Sequence, residues 1–233
     1  MKILAADTST KIISVAILEG QETKAQIHQE FSRSRGSSLI PIIKRLLEKI
    51  NCGMAQIQLL CVGLGPGSFT GLRTSLAAMR TLSIALAKPL VGISSFDAIA
   101  YNLIRSTQYA VRSTDICVLF DARQNKVYAR FYRRKNDKIE SASGFLLDEL
   151  QNILSMVNNK TVIAGDAISV YGSEILKQKK DFVSFAPEGS WYPKADILAR
   201  LAKDKYEKGH RDDPFNLLPL YIYPKECQIK NSL

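Results

Sequence analysis

Apolar residues in this chain fall into short blocks with two periods, and the order of the blocks repeats once. Residues 3–7 form an apolar run, 12–18 a β-branched one, and 24–31 a more polar third strand suited to a sheet edge. Leu39, Ile42, Ile43, Leu46, Leu47 and Ile50 then recur at helical spacing opposite Lys44, Arg45, Glu48 and Lys49, which predicts a helix over 39–50. Pro41 is tolerated in its first turn, and Gly53 suits the stop. Strand 59–64, helix 70–87 and strand 90–93 follow. Ser94-x-x-Asp97 has the form of a capping box, opening a helix that carries Phe96, Ile99, Ala100 and Leu103. The same order then returns. Strands over 116–120, 127–132 and 138–144 precede helical spacing in Leu147, Leu150, Leu154 and Val157. Strand 161–164, helix 169–179, strand 182–185 and helix 194–208 complete it. Both halves read βββαβαβα, with Asp7 and Asp121 closing equivalent first strands.

Three antiparallel strands followed by right-handed helix crossovers, used twice, is the pattern of the actin, hexokinase and sugar-kinase class. The expectation is an α/β fold of duplicated actin-like (ribonuclease H-like, or ASKHA) domains. Domain I would cover 1–108 and domain II 109–233, with a C-terminal segment free to return to domain I. In that class ATP lies between the halves, facing the turns after the first strands. Here those turns are Asp7-Thr8-Ser9-Thr10 and Asp121-Ala122-Arg123-Gln124. Either aspartate is a candidate for Mg²⁺, which takes carboxylates and water. Capping and hairpin-turn roles are equally open, because neither turn has a glycine to let backbone approach a phosphate.

The stretch Gly63-Leu64-Gly65-Pro66-Gly67-Ser68-Phe69-Thr70-Gly71-Leu72-Arg73 organises the first half. Ser68 or Thr70 can cap the helix that follows. Leu72, Leu76, Met79, Ser83 and Leu86 line one stripe of it, beside the small Ser75, Ala78 and Ala85 and Leu82. Only Arg73 and Arg80 interrupt the apolar surface. A helix apolar nearly all round is buried on more than one side. The spacing Gly65-x-Gly67-x-x-x-Gly71 misses the dinucleotide fingerprint, and Gly71-Leu72-Arg73 misses the Gly-Lys-Ser/Thr of a phosphate loop. A tight strand-to-helix turn accounts for it as well.

Composition narrows the function classes. Hydrophobic residues make up 46% of the chain, yet no apolar run approaches the roughly 20 residues of a membrane span. A single Lys2 before the first strand, with no signal-like segment, reads as cytoplasmic. Cys52, Cys61, Cys117 and Cys227 show no C-x-x-C spacing, which suits thiols in a reducing compartment. The net charge of +10 favours polyanions such as RNA. Its bases are dispersed over Lys44-Arg45, Arg133-Arg134-Lys135, 177–180 and 203–211 with few aromatics between them, so a solvated basic surface is the competing reading. His28 and His210 are far apart, and no zinc-binding spacing exists. Ser68 has no base beside it. Asp212-Asp213 reads as a loop before Pro214, and Asp121 with Asp166 is the one carboxylate pair the repeat would bring together. No complete catalytic constellation emerges.

The nonapeptide Gly65-Pro66-Gly67-Ser68-Phe69-Thr70-Gly71-Leu72-Arg73 resembles the hallmark of the TsaB (YeaZ) family of bacterial tRNA threonylcarbamoyladenosine biosynthesis proteins. Ile3-Leu4-Ala5-Ala6-Asp7-Thr8-Ser9 is similar to the family's first strand, Asp121-Ala122-Arg123 with Val127-Tyr128 to its second-domain hairpin, and Pro219-Leu220-Tyr221-Ile222 to its C-terminal segment. The resemblance implies an actin-like protein that is not itself an enzyme. It would pair with the homologous TsaD, which carries the metal and modifies adenosine beside the anticodon, while the ATPase TsaE joins the complex. Alone it would form a homodimer, and tRNA would be met through the complex. No cofactor would be required, and a nucleotide with Mg²⁺ could sit at the complex interface. The partner surface implied is the two helices, with Leu39, Ile43, Leu46, Leu47, Ile50, Arg73, Thr74, Ala77, Arg80 and Ile84. Asp7, Thr8, Gly65, Gly67, Ser68 and Asp121 form the candidate nucleotide or loop site. Three positions depart from the family pattern: Arg35 where many members have histidine, Gln124-Asn125-Lys126 for Arg-Gly-Glu, and Tyr223 for a closing arginine. The alternatives are a small actin-class ATP-binding protein or kinase, and a glycoprotease-like peptidase.

Overall fold

The computed structural model describes residues 1–30, 39–105, 115–135 and 138–222; Arg35, Cys227 and Tyr223 lie outside them. The chain divides into two compact units. The first comprises Met1–Asn102 with Tyr192–Pro219, and the second comprises Leu103–Trp191 with the chain from Leu220.

In the first unit β1 (Lys2–Asp7), β2 (Ile12–Glu19) and β3 (Glu22–Glu30) form an antiparallel meander. Helix α1 (Leu39–Lys49) leads to β4 (Leu59–Gly63), α2 (Phe69–Leu86) to β5 (Leu90–Ile93), and α3 (Ser95–Arg105) closes the series. β4 pairs parallel to β1 and β5 parallel to β4, so the sheet order is β3-β2-β1-β4-β5. β1, β4 and β5 are almost wholly buried because both sheet faces are covered, which is why they read as unbroken apolar runs. Leu4, Ala6, Leu60 and Val62 face α1 and α2 on one side. Ile3, Ala5, Leu59 and Cys61 face Ala195, Leu198, Ala199 and Ala202 on the other.

The second unit repeats the plan. β6 (Asp115–Arg123), β7 (Lys126–Lys135) and β8 (Lys138–Ser141) are antiparallel, while β10 (Thr161–Ala164) and β11 (Val183–Phe185) extend β6 in parallel. The order β11-β10-β6-β7-β8 matches the first sheet strand for strand. Helices α4 (Leu150–Ser155) and α5 (Ile168–Lys179) pack on it through Cys117, Leu119, Ile153, Leu154 and Ile175. This twofold sheet plan is the actin-like architecture expected.

Two expectations need correction. Leu147 does not begin a helix: Leu146–Glu149 is an additional strand, β9, paired antiparallel to β7, and α4 starts only at Leu150. Paired against Tyr128, Leu147 gains ladder bonds that a helix one turn longer would forgo. The second domain also does not keep its last helix. α6 (Ala195–Glu207) packs on β1 and β2 of the first unit, burying Ile197, Leu198 and Ala202, so the returning segment begins at Tyr192.

Candidate functional site

The first turn of the chain meets the glycine-rich loop at Asp7, whose carboxylate is fully buried. One oxygen accepts bonds from Ser9 N at 2.7 Å and Ser9 Oγ at 2.6 Å, and the other accepts from Ser95 Oγ at 2.6 Å. Burial pushes the Asp7 pKa above the usual carboxylate range, opposed by the donors of Ser9 and Ser95. Gly63 makes room for it, since a Cβ there would sit 1.9 Å from Asp7 Oδ2. Ser95 opens α3 and also holds the loop: Gly65 N donates to Ser95 Oγ at 3.1 Å, and Ser95 N donates to Gly65 O at 2.9 Å. Ser94 Oγ accepts from Phe96 N and Asp97 N, the hydroxyl half of the expected capping box.

The remaining glycines answer to the same turn. A Cβ at Gly67 would lie 2.2 Å from Ser9 O, and one at Gly71 would lie 1.9 Å from Thr8 O. Ser68 N donates to Ser9 O at 2.6 Å, and Thr8 Oγ1 donates to Gly71 O at 2.6 Å. Ser68, not Thr70, caps α2, accepting from Gly71 N at 3.3 Å. Asp7, Thr8, Gly65, Gly67 and Ser68 therefore converge in one network, and the chain's own backbone occupies the space the glycines leave. Ser95, which completes that network, carried no signal in the sequence beyond its place after a strand.

Asp121 belongs to the second unit. Its backbone N donates to Asp166 Oδ1 at 3.0 Å, and its own Oδ1 accepts from Arg123 N at 2.9 Å. The pair expected from the repeat is thus joined through the Asp121 backbone N–H. Arg123, Gln124 and Asn125 have φ of 65°, 53° and 59°. Asparagine tolerates that left-handed region, so Asn125 serves where the family pattern has glycine. Among the described residues no group of three or more His, Cys, Asp or Glu is placed to hold a metal ion. Burial raises the thiols of Cys61 and Cys117 far above their ordinary value.

The two helices expected to carry the partner surface differ. Leu39, Ile43, Leu46 and Leu47 are buried against the sheet, so these four α1 positions face the core, while Ile50 is half-buried. An amphipathic helix has one apolar stripe, and α1 spends it on the core. α2 buries Leu72, Ser75, Leu76, Met79 and Ser83, and its opposite face mixes the apolar Phe69, Ala77, Ile84 and Ala85 with Thr70, Arg73, Thr74 and Thr81. Arg73, Thr74, Ala77 and Ile84 are exposed there, as is Phe69, whose ring lies 3.8 Å from the Arg73 guanidinium carbon. Arg80 is half-buried and turned elsewhere: its Nη2 donates to Phe215 O at 2.6 Å and its Nε to Pro214 O. It fastens the segment after α6, which leaves Phe215 and Leu218 exposed. Phe69 and Phe215 are not legible as surface residues because sequence spacing does not say which apolar side chain stays exposed.

A family model described as TsaD, tRNA N6-adenosine threonylcarbamoyltransferase, matches residues 20–205. The tRNA threonylcarbamoyladenosine biosynthesis protein TsaB of Bacillus subtilis (strain 168) is 26% identical over 237 residues, covering 99% of this chain and 97% of its own. YeaZ from Pseudomonas aeruginosa shares the fold, with a TM-score of 0.78 at 22% identity over 95% of this chain and 99% of that one. The ROK hexokinase of Thermus thermophilus shares it more distantly, with a TM-score of 0.50 at 12% identity over 90% of this chain and 100% of that one. With the family model spanning residues 20–205 and TsaB aligned from end to end, the chain belongs to the TsaD family and is a TsaB (YeaZ)-type member of it, a tRNA threonylcarbamoyladenosine biosynthesis protein.

Proposed function

We propose that this chain is a non-catalytic subunit of the cytoplasmic complex that makes threonylcarbamoyladenosine next to the anticodon. It binds the catalytic homologue TsaD through the outward face of α2, with the ATPase TsaE joining the assembly, and it pairs with itself when alone. The observation that carries this reading is α2 itself: its inward stripe already fills the core, and Phe69, Ala77 and Ile84 still stand exposed on the other side. Water gains nothing from such a face, whereas a closed interface recovers about 25 cal/mol per Å² of apolar area.

The network around Asp7 supports a subunit without chemistry of its own. Mg²⁺ would have to displace the three donors that already occupy its oxygens, and a phosphate would meet Ser9 and Thr8 backbone packed on the loop. The residues therefore do not fit a nucleotide in the first unit, and any nucleotide with Mg²⁺ is left to the interface of the complex.

Mixing the chain with its cognate TsaD, with and without TsaE, tests the proposal. A stable complex on size exclusion and tRNA modification that depends on this chain are expected. Turnover of ATP or a peptide by the purified chain, lost on changing Asp7 or Asp121, would favour the kinase or peptidase alternatives instead.

A further inference from the structure

One corner of the second unit concentrates cationic charge. It is formed by the chain after α4, residues 156–160, and by the end of α5 with the approach to β11, residues 176–182. Lys160, Lys177 and Lys180 are exposed and Lys179 is half-buried. Two of these ammoniums are pinned by dipoles that leave their charge intact. Lys179 Nζ donates to Val157 O at 3.0 Å, and Lys160 Nζ donates to Asp181 O. None of the four forms an ion pair among the described residues. Three carboxylates belong to the neighbouring segments, and one of them is paired with a cation. Asp115 is held by Arg133 at 2.9 and 3.1 Å, Glu174 accepts from Gln178 at 3.1 Å, and Asp181 stands alone. Phe182 is exposed in the middle of this corner, 43% accessible, with Lys179 Nζ 5.7 Å from its ring centroid.

Lysines at a helix C-terminus also complement the helix dipole. That accounts for Lys177 and Lys179 but not for Lys160 on a different element, nor for an uncovered aromatic ring among them. A fixed ammonium beside an exposed ring, with three further lysines on the same two segments, matches a ribose-phosphate chain, with phosphates taking the charge and a base stacking on the ring.

We infer that this corner is a contact for the phosphate backbone of the tRNA in the assembled complex. The inference rests on the proposed complex and adds to it the surface through which this subunit touches the substrate. In the complex with TsaD, tRNA affinity is measured between 50 and 200 mM salt for the wild-type chain and for Lys177→Gln/Lys180→Gln. Lys24→Gln/Lys203→Gln removes the same net charge from the first unit and serves as the control. Each lost phosphate contact on duplex lowers the salt slope by about 0.9, so the corner variant should flatten it by about 1 to 2 and weaken binding at least about tenfold at low salt. The control should leave the slope unchanged. Equal slopes for the corner variant and wild type, or equal losses for the two variants, overturn the inference while leaving the complex intact. Loss of binding to phosphatidylserine vesicles with an unchanged tRNA slope would assign the corner to a membrane surface and overturn it as well. Failure of the complex to form removes the proposed function and this inference together.

Discussion

At Gly71 two general rules collide. Within a helix, glycine is worse than alanine by about 1 kcal/mol, so Gly71→Ala would ordinarily stabilise α2. Here the added Cβ would lie 1.9 Å from Thr8 O, a backbone atom held by the β1–β2 turn. The expected result is a loss of more than about 2 kcal/mol, read as a Tm lowered by roughly 4–8 °C. Gly53→Ala has nothing within 4 Å and a φ of −84°, and should melt within about 2 °C of the wild type. Equal melting of the two variants would contradict the packing described for the loop. The glycine spacing was visible in the sequence, but its cause was not. The atom each glycine avoids belongs to Thr8 or Ser9, some 60 residues earlier (Thr8 and Gly71 are 63 apart), and no local pattern encodes that approach. Asp7 was legible by its place at the end of the first strand. Its partner Ser95, 88 residues away, was not.

Elements are more legible in the sequence than the faces they present. The period of α1 and α2 located both helices within a residue or so of their observed ends. Period alone does not decide whether an apolar stripe is spent on the core or left for a partner, so the spacing of α1 does not reveal that Leu39, Ile43, Leu46 and Leu47 face the sheet. α2 is legible as unusual because Arg73 and Arg80 are its only charged residues, so its apolar residues spread beyond one stripe. Its C-terminus is where local chemistry is least satisfied. Ala87 takes a left-handed conformation, φ 50° and ψ 42°, to let Lys88 N reach Ser83 O at 3.0 Å. Glycine is the usual residue there, and the left-handed region costs an L residue about 1–2 kcal/mol. Ala87→Gly should therefore raise the Tm by about 1–4 °C, net of the added freedom of the unfolded chain. A lowered Tm in a scanning calorimeter would mean that the cap is not strained. β9 was missed because Leu147, Leu150 and Leu154 satisfy a helical period, while the pairing that makes Leu147 a strand residue comes from β7.

For the whole molecule, the duplicated sheet order was legible because the same order of periods occurs twice. The return of α6 was not, since its periodicity says that it packs but not on which sheet. None of the described helices is long and apolar enough to cross a membrane. The proposed partner surface is the exposed face of α2. Ala77 is the position that tests this most directly, exposed in the middle of that face and away from the Leu76 and Met79 side that fills the core. A glutamate there costs little in water and much in a closed interface. Ala77→Glu should melt within about 2 °C of the wild type and fail to elute with TsaD on size exclusion. A folded Ala77→Glu protein that still forms the complex would place the partner elsewhere and contradict the account.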